Sequence, residues 1–183
     1  MQLTQKFPFF SRFIGFIVVP VLVCGLLFLV WLQKSLALTD VRIVLPGVLA
    51  ETTIGYDSFG VAKISAKNDL DAFYALGFAH AQNRLWQMEM NRRIAAGELS
   101  AVIGQEGLQS DIFMRTLGLN NNANNMWQQL PTHEKQVLRH YVEGVNAGIE
   151  QLSVLPIEYY LHQFKPRKWT EIDSLLWMQL MTV

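Results

Sequence analysis

Histidine, serine and cysteine are the side chains here that could act as base, nucleophile or metal ligand, and their spacing assembles none of the usual sites. The four histidines, His80, His133, His140 and His162, include no His-Glu-x-x-His pair and no carboxylate at ligand spacing on a shared helical face. Neither a zinc nor an iron site is indicated. His80 falls within a long helical pattern, where a hydrogen-bonded core or interface histidine is expected. Ser58, Ser65, Ser100, Ser110, Ser153 and Ser174 include none in a Gly-x-Ser-x-Gly elbow, and no Ser-His-Asp set is visible. Gly97, Gly104 and Gly107 do not lie between a strand and a helix start, which leaves no dinucleotide or phosphate loop. The single cysteine, Cys24, sits inside an apolar run, so an intrachain disulfide and a cysteine-based metal site are both excluded. Val23 before it, where a small residue is needed, and the apolar or glycine residues 25–32 after it exclude lipid attachment as well. Cys24 is expected to be lipid-facing filler. The residues alone therefore assign no catalytic, cofactor-binding or metal position.

The elements that would carry any chemistry divide at the front of the chain. Hydrophobic residues make up 51% of the sequence and charged ones 16%, against about 25% charged in an average soluble domain. The excess is concentrated between Phe13 and Leu32, a run without a charge. At about 1.5 Å per residue it reaches across a hydrocarbon core about 30 Å thick. Lys6 and Arg12 before it favour a cytoplasmic tail at 1–12, a transmembrane helix at 13–32 and export of residues 33–183. The expected location is a bacterial inner membrane, single-pass, with residues 33–183 facing the periplasm or exterior. A cleavable signal peptide is the rival, with Ser35 and Ala37 as the small residues before a cut. Trp31, an interfacial anchor type, and the length of the run favour the retained helix. The 15 basic and 15 acidic side chains balance. Lys6 and Arg12 belong to residues 1–33, so the exported part is slightly acidic and offers nucleic acid no footprint. The pairs Arg92, Arg93 and Arg167, Lys168 read as solvated or ion-paired surface.

Short strands are predicted in 41–66, from Val41 to Val44, Thr52 to Ile54 and Val61 to Ile64, with a hairpin turn at Asp57 to Gly60. Asn68-Asp69 opens a long helix, with Asp69 as N-cap and Asp71 favourable to the dipole. Its apolar residues form two stripes, Tyr74, Phe78, Ala81, Leu85, Met88 and Ala75, Ala79, Trp86, Met90, so that it is buried on more than one side as far as Gly97. Asn120 to Asn125 is a weak helix sequence that reads as a loop unless tertiary packing overrides it. Thr132 caps a further helix in which Gly144 and Gly148 permit close approach of another. A short helix follows near Ile157 to His162. Thr170-Glu171-Ile172-Asp173 is a capping box ahead of a last helix.

The blocks Asp57-Ser58-Phe59-Gly60-Val61 and Ala75 to Arg93, the latter containing His80-Ala81-Gln82-Asn83-Arg84-Leu85, carry a family resemblance. Gly97-Glu98-Leu99-Ser100, Asp111 to Arg115, Tyr141 to Ala147, Leu155 to Tyr159 and Trp169 to Ser174 continue it in order. Together they resemble the start of the penicillin acylase family of N-terminal nucleophile hydrolases, over about residues 40 to 183. The resemblance implies an α+β fold: the N-terminal part of an αββα architecture, here mostly helical with a short β-hairpin region, preceded by one transmembrane helix. Residues 33–183 would be a truncated α-chain region. The activity implied is hydrolysis of linear amide bonds, such as β-lactam side chains or acyl-homoserine lactones. A self-processed N-terminal serine would attack, its own α-amine taking the proton.

By that resemblance the nucleophile, the calcium ligands and most of the acyl pocket lie beyond Val183. This chain then has no catalytic residue, cofactor or metal of its own and is inactive alone; calcium belongs to the complete enzyme. Its expected partners are the membrane through residues 13–32, the β-chain region of the same precursor and, in the complete enzyme, a small acyl-amide substrate. Gln82, Arg84, Gln87, Glu89, Arg92 and Arg93 are expected to pair with one another as scaffold. Met181 and Thr182 are the residues expected nearest the pocket. The chain departs from the family at Ala62-Lys63, where Pro-His is usual, at Asn83, where Asp is usual, and at Glu98 and Ala101, in the places of Arg and Glu. A non-catalytic membrane-anchored scaffold or binding protein, or the product of a truncated gene, is the alternative.

Overall fold

A computed structural model describes residues 14–34, 36 and 42–182, in two compact units, residues 1–36 and 37–183. The expected tail at 1–12, Phe13, the cut after Ala37 and the start of the first strand at Val41 lie outside the described residues.

In the first unit a π-helical turn, Ile14–Val18, runs into α1 (Val19–Gln33), whose first turn holds Pro20, where a missing N–H costs nothing. The helix is apolar all round. Ile14–Gln33 has a mean hydropathy of 2.8 and no buried residue. By length and composition it is able to cross a membrane, a property it shares with signal sequences.

The second unit begins with residues that have no regular structure. Ile43, Leu45 and Val48 pack against Tyr74 and Phe78, so the alternation at 42–45 does turn apolar side chains inward, but without strand pairing. β1 (Thr53–Tyr56) and β2 (Ala62–Ser65) then form an antiparallel ribbon, Ile54 opposite Ile64. Its turn is held by Asp57, whose carboxylate accepts from the amides of Phe59 and Val61, both at 2.9 Å. Gly60 supplies the positive φ of 76°.

The long helix α2 (Asp69–Ala96) is the axis of the unit. Its cap is Asn68, not Asp69: the Asn68 side chain accepts from the Asp71 amide. Tyr74, Phe78, Ala81, Leu85 and Met88, the whole first stripe, are buried; of the second, Ala75 and Ala79 are buried and Trp86 and Met90 half-buried. Arg84 leaves helical geometry at φ −140°, ψ 24°, so the helix kinks there. Gly97 closes it in the left-handed region, with the Glu98 amide donating back to Arg93 O at 2.7 Å.

α3 (Ser100–Ile103), a 3₁₀ turn at Gly104–Gly107, α4 (Leu108–Leu117) and α5 (Leu119–Gln129) follow. The asparagine run is helical, not a loop. Leu119 and Ala123, one turn apart, are buried against Ala95, Leu175 and Leu176, and the asparagines between them face outward. Burial of that one stripe overrides the poor helix propensity of asparagine. In α6 (Thr132–Glu150) the N-cap position is Pro131, not Thr132, and no side chain caps the helix. α6 packs along α2 where Gly77 and Gly144 remove two side chains: a Cβ on Gly144 would stand 1.9 Å from Tyr74 O, and one on Gly77 2.1 Å from Tyr141 O. α7 (Ile157–Leu161) and α8 (Glu171–Leu180) complete the unit, the latter with the predicted Thr170–Asp173 capping box. A helix-dominated unit with one short hairpin is the expected fold class.

Candidate functional site

Chemistry-bearing side chains concentrate where α2, α6 and the start of α8 meet. A single turn of α2 places Glu89, Arg92 and Arg93 on its buried side. Glu89 pairs with both arginines, with Arg92 Nη2 through one carboxylate oxygen and with Arg93 Nε at 2.6 Å through the other. Arg92 Nη1 is also 3.7 Å from the Asp173 carboxylate. Its guanidinium lies over the Trp169 ring at 5.4 Å, and that of Arg93 lies over Phe164 at 4.5 Å. Two cations and two carboxylates balance here, which is what allows them to leave water. Arg92 and Arg93 are thus buried, not surface; a charge pair in sequence says nothing of exposure when the carboxylate is one helical turn behind it. Arg167 does stay at the surface, paired with Glu98 at 3.0 Å.

A second set of contacts aims the last helix. The Asn146 side chain, on α6, accepts from the Trp169 amide and donates to its carbonyl, both at 2.9 Å. The Trp169 indole donates to Ser174 Oγ at 2.8 Å, and Thr170 and Asp173 cap each other. The end of α8 leaves Met178 and Met181 exposed.

Two carboxylates buried elsewhere were not legible as such. Asp71 accepts from the amides of Leu49 at 2.8 Å and Ala50 at 2.9 Å; Asp111 accepts from those of Leu99 at 2.7 Å and Ser100 at 2.9 Å. Each is a helix residue reaching back to two consecutive amides of an earlier loop. Burial pushes the Asp71 carboxyl up, but the Leu49 amide, Asn68 and the Ala50 amide outweigh it and hold it below the ordinary value. Asp111 is likewise held low, burial being overcome by Ser100, the Leu99 amide and Arg115. The sequence places Asp71 in the first turn, favourable to the helix dipole; the amides it accepts from lie 22 and 21 positions away, beyond any local pattern.

Two of the histidines make contacts within the unit. His80 Nδ1 is 2.9 Å from Tyr141 Oη, as a core histidine should be; burial, then Arg84, lowers its pKa. Burial pushes the Tyr141 hydroxyl up to about 12. His162 stacks on Trp86. Gln82 donates to Gly148 O at 2.8 Å and Arg84 to Gln87 at 3.1 Å, so the quoted α2 residues do pair within the unit. Calcium takes six to eight oxygen ligands. Among the described residues no group of three or more His, Cys, Asp or Glu converges. The arrangement fixes distances between helices and directs α8.

The family described as Penicillin amidase matches residues 51–183. The chain belongs to the penicillin amidase family. Penicillin acylase 2 proenzyme of Pseudomonas sp. (strain SE83) is 37% identical over 148 residues, covering 81% of this chain and 19% of that protein. Acyl-homoserine lactone acylase QuiP of Pseudomonas syringae pv. syringae is 30% identical over 138 residues, 75% of this chain and 17% of that protein. Thermostable penicillin G acylase from Alcaligenes faecalis superposes with a TM-score of 0.65 at 30% identity, covering 72% of each chain. This penicillin amidase family chain spans about a fifth of the length of the curated relatives it matches. Glu89, Arg92, Trp169 and Asp173, whose contacts join α2 to the start of α8, lie within the matched residues.

Proposed function

We propose that this chain is the scaffold portion of an acylase that hydrolyses linear acyl amides by the N-terminal nucleophile mechanism. The observation that carries the reading is the unbroken family match over residues 51–183, in which the matched polar residues hold helices together and aim α8. Relatives on both sides of the substrate divide, a penicillin acylase and an acyl-homoserine lactone acylase, support acyl-amide cleavage as the reaction class. In this reading a serine freed at its amine by processing, outside this chain, attacks the amide carbonyl. The acyl group passes to its oxygen, the amine leaves with the proton, and water releases the acid. Calcium, where the complete enzyme holds it, is bound by residues of that other region.

The partner is the rest of the precursor. One relative is a proenzyme, and the solved acylase chain that matches is, from equal coverage on both sides, about the size of this one. Residues 13–32 hold the unit at a bacterial inner membrane, with residues 33–183 outside. The test is turnover of a chromogenic phenylacetyl amide and of an acyl-homoserine lactone. No product is expected from the 183-residue chain alone. Product is expected when residues 42–183 replace the matching segment of the Pseudomonas sp. (strain SE83) proenzyme. Turnover by the chain alone, lost on changing one of its own serines, would overturn the assignment of the nucleophile. An inactive, unprocessed chimera would overturn the scaffold reading.

A further inference from the structure

A cavity of about 220 Å³ opens where the end of α2, the start of α5 and the residues leading into α8 meet. With about 30 Å³ of liquid per water molecule, it has room for a small ion and some of its hydration. Its wall sets Arg92, Arg167 and Lys168 against Glu98 and Asp173, a surplus of one positive charge. Both carboxylates are already engaged. Asp173 Oδ2 accepts from the Thr170 amide and hydroxyl at 2.8 and 2.7 Å, and Glu98 Oε2 accepts from Arg167 at 3.0 Å. Lys168 has no carboxylate partner among the described residues.

Arg92 is the deciding residue. It is 2% exposed, and while its two terminal nitrogens face Glu89 and Asp173, its Nε has no hydrogen-bond partner among the described residues. Arginine does not lose its proton in a protein, so this buried donor is permanent, and leaving it without an acceptor is costly. Thr170 and Ile172, at the N-terminus of α8, line the same cavity. The capping box engages the amides of Thr170 and Asp173, whereas those of Glu171 and Ile172 have no acceptor among the described residues. Free first-turn amides and the helix dipole both favour negative charge at that end.

We propose that this cavity is a binding site for a phosphate group, held by Arg92, Lys168 and the first amides of α8. The donors belong to separate segments: Arg92 to α2, Lys168 to the stretch before α8, the amides to the helix start, and Asn120 on α5 adds a carboxamide. Four oxygens in a tetrahedron meet donors from several segments better than the two of a planar carboxylate. Charge-assisted bonds from a guanidinium and an ammonium are the strong kind for such an anion. Every group is supplied by this chain, so the site does not depend on the acylase reading.

The test is titration of the full 183-residue chain, in detergent micelles at low ionic strength, with inorganic phosphate. Calorimetry and hydrogen exchange of the Glu171 and Ile172 amides are the readouts. Phosphate should bind and slow both amides. Lys168→Gln should weaken binding about tenfold or more, and Arg92→Lys, which keeps the charge and removes Nε, should do the same. Circular dichroism checks that each variant is folded; if Arg92→Lys is not, the exposed Lys168 decides. Lys165→Gln, at an exposed lysine outside the cavity wall, should bind like the parent. Glycerol phosphate in place of inorganic phosphate identifies the source, tighter binding supporting an ester group and weaker binding a free ion. Acetate binding as tightly as phosphate would overturn the choice of a tetrahedral anion. No binding at millimolar phosphate, equal weakening by Lys165→Gln and Lys168→Gln, or binding that leaves the Glu171 and Ile172 amides unchanged would overturn the site.

Discussion

Replacing Gly144 by alanine tests the helix crossing on which the whole unit is built. In an exposed helix the change stabilises by roughly 0.5–1 kcal/mol, because glycine loses more backbone freedom on folding. Here the new methyl would lie 1.9 Å from the carbonyl oxygen of Tyr74 and 2.7 Å from its carbon. Both are backbone atoms of α2, so no rotamer change relieves the contact, and α2 and α6 must separate by more than an ångström. Overpacking of this kind costs about 1–3 kcal/mol, at the upper end when backbone must move. The net expectation is a loss of about 2 kcal/mol, or a fall in Tm of roughly 6–8 °C for a unit of this size. Gly77→Ala, at 2.1 Å from Tyr141 O, should behave alike. Gly148→Ala meets first the Ala81 methyl at 2.7 Å, so it should cost less and be partly rescued by Ala81→Gly. Denaturant unfolding followed by circular dichroism gives the order. A Gly144→Ala variant more stable than the parent would refute the crossing.

Glu89→Gln should cost about 3–5 kcal/mol, since it leaves two buried guanidiniums facing a neutral amide; the same unfolding assay should show the double variant Glu89→Gln, Arg92→Met recovering part of the loss. Acid should destabilise the fold in two steps. Asp71 and Asp111 have folded values held below 3.8, so their contribution is full above that value and is lost as pH falls through the folded ones, and Asp111→Asn should flatten the lower limb. His80, lowered from 6.5, charges first in the unfolded chain, so a smaller loss should begin as pH drops below 6.5 and vanish in His80→Gln. N-terminal sequencing of membrane-extracted protein should find residues 1–33 retained; a mature terminus at Leu38 would show cleavage and end the anchor reading.

Local patterns were legible where one element decides its own fate. The capping box at Thr170–Asp173, the Asp57–Gly60 turn, the Gly97 stop and the two stripes of α2 depend on neighbours within a few residues. The Gly144–Gly148 spacing announced a close crossing because glycine at helical spacing has little other use. What escaped was decided by distant segments. The asparagine run is helical because Ala95, Leu175 and Leu176 cover Leu119 and Ala123. Asp71 and Asp111 are acceptors for loops, and Arg92 is a core residue, because tertiary contacts supply the amides and the carboxylates that make burial tolerable.

The departures from the family pattern are best weighed by asking what each leaves behind. An aspartate replaced by Asn83 would be a defect if an arginine had lost its counter-charge. Yet every arginine among the described residues has an acceptor or a carboxylate partner: Arg84 has Gln87, Arg92 and Arg93 share Glu89, Arg115 has Gly97 O, Arg42 has Glu51, Arg139 has Glu171. Asn83 itself donates to Tyr56 Oη and to Ala79 O, at 2.8 and 2.7 Å, tying the hairpin to α2. Glu98, a departure from the resemblance's expected arginine, meets Arg167 at 3.0 Å. Asn83 and Glu98 thus each meet a partner within the unit, and neither leaves a charge of an opposing residue uncompensated.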